Sequence, residues 1–208
     1  AGLLSRASEM ELSAVAQQLA VLVSNDFIYC LNEQPRIVYS FYQAATRDVV
    51  YAALLSEQRE AAHAAIAAAM TAEGELKAEA AGEAAYHYSE ARDWLSAAAH
   101  QDVAALWYFE RDPDEAARRW EQALGWLRQL PVGDMRIDAL SLQILMRLII
   151  HSGAQGFDQT RLPELVAEAR ELLGDNPSPK DEASLLISNG ASELFFGDLL
   201  TSQGHYEK

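Results

Sequence analysis

A single cysteine, Cys30, occurs in the 208 residues, so no intrachain disulfide can form. That excludes the stapled scaffolds of small secreted proteins and points to a cytoplasmic compartment, with Cys30 expected as a buried, inert thiol. Long apolar runs are missing too: nothing approaches the roughly 18 residues that a membrane-spanning helix needs. The first residues lack the basic-then-apolar order of a signal peptide, and no membrane partner is expected. Positive charge is scarce. Lysine and arginine total 16 against 31 aspartates and glutamates, and a net charge of −15 would repel a phosphate backbone rather than attract it. Nucleic acid is therefore not an expected partner.

Aromatic residues make up only 9% of the chain, whereas alanine dominates whole stretches, as in Ala61 to Ala69 (AAHAAIAAA). Alanine is the strongest helix former and lets helices approach closely. A chain of this length buries a substantial core without metal or disulfide. It begins at Ala1 without methionine and stops at Lys208 inside a repeat pattern, so both ends are read as boundaries within a longer protein.

Ser8 to Glu11 has the spacing of a capping box and predicts a helix over about 9–24, with Leu12, Val15, Leu19 and Leu22 on one face. Two segments rich in β-branched and aromatic residues follow, Phe27 to Leu31 and Arg36 to Tyr42, separated by the polar turn Asn32 to Pro35. They read as a β-hairpin, and helix plus hairpin suggest a small winged-helix-like module over residues 1–45. Beyond it the strand signal stops. Thr46 and Ser56 are placed to cap helices, and further helices are expected over about 75–90, 94–110, 113–130, 134–152, 160–173 and 180–203. Asp112 at the N-cap with Pro113 at the first helical position marks the sharpest of these boundaries.

Helices of this length joined by tight turns suit an α-solenoid, in which each pair buries its apolar face against its neighbours. Residues 46–208 carry the alternation of small and large residues typical of the second helix of a tetratricopeptide (TPR) unit. Ala116, Trp120 and Ala123, followed by Pro131, fit it best, and Asp93-Trp94 before Ala97 gives a partial match. Gly204 to Glu207 reads as the turn opening another such helix. The spacing from Ala97 to Ala116 falls well short of the roughly 34 residues of a full repeat, so the expected fold is mainly α, an irregular TPR-like helical repeat truncated at its C-terminus and preceded by the winged-helix-like module.

The run from Tyr39 to Leu55 (YSFYQAATRDVVYAALL), with Arg59, His63 to Ala67, Ala85 to Tyr88 and Asp93-Trp94, resembles the region that follows the AAA/STAND-type ATPase module of large bacterial signalling proteins. These include adenylate/guanylate cyclases that carry such a module and LuxR-type transcriptional regulators. Gln43 stands where many members carry histidine. The resemblance implies a regulatory segment whose partners are its own ATPase module or a signalling protein, the effector lying elsewhere in the parent.

Motifs with a catalytic mechanism are missing. There is no Gly-x-x-x-x-Gly-Lys-Ser/Thr phosphate cradle, no Gly-x-Ser-x-Gly elbow and no His-Glu-x-x-His, so no catalytic residue, cofactor or metal is assigned. His63 and His87, set among alanines and aromatics, read as hydrogen-bonded packing residues. Carboxylates such as Asp112 and Asp114 sit at helix starts, where they complement the dipole. The basic side chains of residues 1–74 are Arg6, Arg36, Arg47 and Arg59, outnumbered by acidic ones, which argues against DNA binding by the hairpin module. The leading expectation is a non-catalytic, protein-binding scaffold with Ala97, Ala116, Trp120 and Ala123 as repeat-packing residues. Arg118 and Arg119 read as a solvated face, with contact to an acidic peptide as the alternative. The alternative is an inducer sensor whose groove, lined by Tyr86, Tyr88, Trp94 and Trp107, takes a small molecule.

Overall fold

The computed structural model describes residues 2–32, 37–72, 74, 76–131, 133–155, 161–174 and 182–186. It is mainly helical with one two-stranded antiparallel hairpin. The elements are α1 (Gly2–Ser8), α2 (Leu12–Ser24), β1 (Ile28–Asn32), β2 (Val38–Phe41), α3 (Ala44–Ala53), α4 (Ser56–Thr71), α5 (Ala78–Glu90), α6 (Trp94–Phe109), α7 (Pro113–Leu127), α8 (Met135–Gln155) and α9 (Leu162–Leu173). Residues 182–186 are also helical. Packing divides the chain into two units, one ending at Asp93 and the other starting at Trp94.

In the first unit the hairpin stands where the β-branched arms predict it. Its register pairs Ile28 with Phe41 and Cys30 with Tyr39, and Leu31 is an extra residue before Asn32 pairs with Val38. The turn residues 33–36 lie outside the described residues. Val15 and Leu19 of α2 bury against Ile28, with Tyr39 packed on them. This apolar patch is small and ends short of Cys30, which is exposed rather than buried, its Sγ 3.5 Å from the Asn32 carbonyl.

The Ser8 capping box is not formed. Ser8 is the last residue of α1 and its hydroxyl donates back to the Leu4 carbonyl at 2.7 Å, a bond a helical serine makes at the expense of capping. Glu9 then takes the left-handed conformation (φ 55°), and α2 starts only at Leu12, without a side-chain cap. Thr46 and Ser56 likewise fall inside the helices they were expected to cap. At α4 the Leu55 amide instead donates to the Gln58 side chain at 3.0 Å.

α1 lies on α4, where Arg6 Nε donates to the Ala69 carbonyl at 3.2 Å, and α4 packs on α5. Ala67, Ala81, Ala84 and Ala85 at that crossing have no exposed surface, so the backbones approach closely. α3 touches β2 but buries none of its own residues.

In the second unit α6 packs on α7, α7 on α8 and α8 on α9, with α6 also reaching α8. The Asp112 cap forms as the sequence predicts: its carboxylate accepts from the Glu115 amide at 3.1 Å and Pro113 opens α7. Ala98 and Ala105 of α6 pack with Ala116, Ala117 and Ala123 of α7 in a crossing of small residues, and Trp120 fills the gap beside Phe109. Ile144, Leu145 and Ile149 of α8 and Leu165, Val166 and Ala169 of α9 complete the core, which Leu185 joins. α8 continues through Gly153 to Gln155, past the break expected there. The region from 187 onward, including Gly204 to Lys208, lies outside the described residues.

Candidate functional site

The most concentrated polar chemistry of the first unit is a hydrogen-bonded chain across α3, α4 and α5. His63, only 7% exposed on α4, uses both ring nitrogens: Nε2 lies 3.0 Å from the Tyr51 hydroxyl of α3 and Nδ1 lies 2.8 Å from Nδ1 of His87 on α5. Alanines around both histidines bring the two helices close enough for imidazoles to meet. Two facing ring nitrogens share one proton. When His63 supplies it, Nε2 of the neutral ring accepts from Tyr51. When His87 supplies it, His63 donates to the Tyr51 oxygen instead.

The rings of His63 and His87 meet at 5.0 Å, tilted by 39°, and Tyr86 sets its edge against both, at 5.7 and 5.3 Å. The Arg59 guanidinium stands 5.5 Å from the Tyr51 ring centroid, within cation–π range. Burial pushes His87 below the ordinary histidine value and His63 pushes it the same way, while Glu90 partly opposes them. The Tyr86 hydroxyl is raised by burial, then by Glu90 and Tyr51. Chemically, the chain can reverse its tautomers and pass a proton between Tyr51 and the His87 side. Among the described residues no serine, cysteine or carboxylate hydrogen-bonds to it.

The second unit holds a buried carboxylate. Asp102, 4% exposed in the middle of α6, accepts from Trp120 Nε1 of α7 at 2.9 Å, from Gln143 Nε2 of α8 at 2.9 Å and from Arg147 Nη1, also of α8. Its neighbour Gln101 donates to Gln122 at 2.7 Å and accepts from Arg119 at 3.5 Å. These bonds fix the register of three helices. Nearby, the wholly buried His151 has its ring 6.3 Å from Phe109, and burial pushes it below the usual histidine value while Asp114 opposes.

The groove residues are spread over two helices. Tyr86 is exposed whereas Tyr88 is half-buried, its hydroxyl 3.0 Å from Thr71 Oγ1, and two residues of a helix point about 160° apart. Trp94 and Trp107 stand near opposite ends of α6, about 20 Å apart along its axis. Trp107 is half-buried and covered by Arg111, 4.4 Å from its ring. Arg118 and Arg119 both pair with Glu115, at 2.9 and 2.8 Å, and Arg119 also stacks 4.6 Å over Tyr108. Glu115 thus partly neutralises the basic pair proposed for an acidic peptide. Ala97, Ala116, Trp120 and Ala123 are all buried, the last three in the α6–α7 core.

Asp102 and Tyr51 stand out as site residues only in the structure. The legible signal for Asp102 was an acidic residue on the alanine-rich core face of α6, where charge needs a partner. Tyr51 carried no such mark. Among the described residues there is no metal-binding group of three or more His, Cys, Asp or Glu, and no helix long and apolar enough to cross a membrane.

The fold and its polar clusters define a mainly α, two-unit protein with a hairpin in its first unit. Compared with protein-family models, curated protein sequences and solved structures, the chain matches none.

Proposed function

We propose that the chain is a non-catalytic, protein-binding regulatory scaffold of a cytoplasmic signalling ATPase, a cyclase-type parent being favoured over a LuxR-type regulator. The observation that carries the reading is the apolar surface of the first unit. Val49 and Val50 of α3 are 68% and 54% exposed, and Leu55 just beyond it is 69% exposed. Leu31 and Tyr42 of the hairpin and Leu12 and Val21 of α2 are exposed as well. Single exposed apolar side chains are ordinary, but many of them on three elements that pack in succession mark an interaction surface. α3 carries several apolar residues and buries none of them.

The resemblance of the run from Tyr39 to Leu55 supplies the partner, because that run contains α3: the ATPase module of the same parent. The acidic balance agrees with a protein rather than a nucleic-acid partner. Hydrogen exchange of the chain with and without that ATPase module tests the reading. Protection of amides in α2, the hairpin and α3 is expected. Unchanged exchange there, or protection confined to α6–α9, overturns it.

A further inference from the structure

We propose that the His63–His87 pair is a proton-operated latch on α3: it holds α3 down while it carries at most one extra proton, and the second proton releases the helix. With Nδ1 facing Nδ1 at 2.8 Å, one of the two atoms must be unprotonated. Two neutral rings satisfy this, and so does a pair holding one added proton, which either ring can carry on its other nitrogen. A pair with two added protons sets N–H against N–H at a distance no hydrogen bond permits. The closed arrangement therefore accepts one proton and refuses the next.

Opening then follows the weakest attachment. His87 is half-buried and can turn toward water, but His63 is almost fully buried, and an imidazolium left there lacks solvent. No carboxylate hydrogen-bonds to it among the described residues. The charged groups around it give little relief. On its own helix Arg59 stands over the Tyr51 ring and opposes a second cation, and Glu60 is engaged with Arg92 at 3.3 Å. On α5, Glu90 favours charge on His87, next to Tyr86. On α3, Arg47 and Asp48 pair with each other at 2.7 Å. On α1, Arg6 is held at the Ala69 carbonyl, about 9 Å along α4 from His63. The strands β1 and β2 bring no charged residue.

Water reaches His63 by lifting its cover, and that cover is Tyr51. α3 buries no residue, and Tyr51 ties it to α4, through its bond to His63 and beneath the Arg59 guanidinium, so loss of the Tyr51–His63 bond frees it to lift. α4 and α5 stay together through their alanine crossing and the Thr71–Tyr88 bond. The lowered affinity of His87 for its proton puts the event on the acid side of neutrality. The latch stands whether or not α3 is a docking surface.

Hydrogen exchange of the full chain at pH 7.5 and pH 5.0, corrected for intrinsic rates, tests it. Because only the open form takes the second proton, the open fraction rises about tenfold per pH unit below that proton's pKa. Amides of residues 45–54 should lose protection by about that factor or more at pH 5.0, while those of α4 and α5 keep theirs. His87→Gln, which can still bond His63 but takes no proton, should hold α3 equally well at both pH values. Unchanged α3 protection in the wild type, loss confined to α5, or an identical loss in H87Q overturns the latch. If H87Q does not fold, imidazole NMR of the wild type decides. Two coupled steps with α3 amide shifts following only the second support it, and two independent single-site curves refute it.

Discussion

Replacing Asp102 should unfold the second unit selectively, and by an amount that depends on what takes its place. In D102A three donors on two other helices lose their acceptor at once: Trp120 Nε1, Gln143 Nε2 and Arg147 Nη1. Removing one member of a buried ion pair costs about 3–5 kcal/mol. Arg147 keeps a quarter of its side-chain surface in water, which places D102A near the lower end, at about 3 kcal/mol. D102N is milder for a geometric reason. Trp120 and Arg147 both use Oδ1 whereas Gln143 uses Oδ2, so an asparagine with its oxygen at the Oδ1 position keeps two bonds. Gln143 restores the third by turning its amide over. What remains lost is the charge, worth about 1.5 kcal/mol. In D102L/R147M both charges go together, and the double variant should be more stable than the sum of the single ones implies. All four tryptophans, Trp94, Trp107, Trp120 and Trp126, lie in the second unit, so urea unfolding followed by tryptophan fluorescence reads that unit alone. With a urea slope of about 2 kcal/mol per M, D102A should lower the midpoint by about 1.5 M and D102N by about half as much. A D102A midpoint within about 0.2 M of wild type, or a D102N as damaged as D102A, would refute the assignment of Asp102 as the acceptor joining three helices.

Two further outcomes follow from single contacts. Asp112→Ala removes the cap on the Glu115 amide and should destabilise the second unit by about 1 kcal/mol in the same assay, with Asp112→Asn close to wild type. His151 is buried and binds its proton less readily folded than unfolded, so the unfolded chain holds more protons just below pH 6.5 and stability falls as the pH drops through that window. Urea midpoints at pH 7.5 and 5.0 should differ less in His151→Leu than in wild type, and an undiminished difference contradicts the reading.

The sequence made the helical course, the hairpin arms and the α6–α7 crossing legible, because each rests on a local pattern. Ala116 and Ala123 on either side of Trp120 give α7 a face of small and large residues, and that face packs with Ala98 and Ala105. Asp112-Pro113 carries its own stop-and-start chemistry. Caps at Thr46 and Ser56 failed because their helices begin three residues and one residue earlier, and the cap at Ser8 failed because Ser8 ends a helix instead, choices that local spacing leaves open. The polar clusters were harder. His63 and His87 read as packing residues, and they do pack, but their shared proton depends on a helix crossing that places residues 24 apart in register. Asp102 meets partners 18 to 45 residues away, and no window of sequence contains them.

Whether the apolar surface around α3 binds protein is read by calorimetric titration of the chain with the ATPase module proposed as its partner. A complex should form, and its affinity should drop about tenfold or more in Val50→Asp/Leu55→Asp, since each change sets a charge on a surface that binding would dry. Circular dichroism of that variant should match wild type, as both side chains are exposed. An absent complex, or one of undiminished affinity in the double variant, would contradict it.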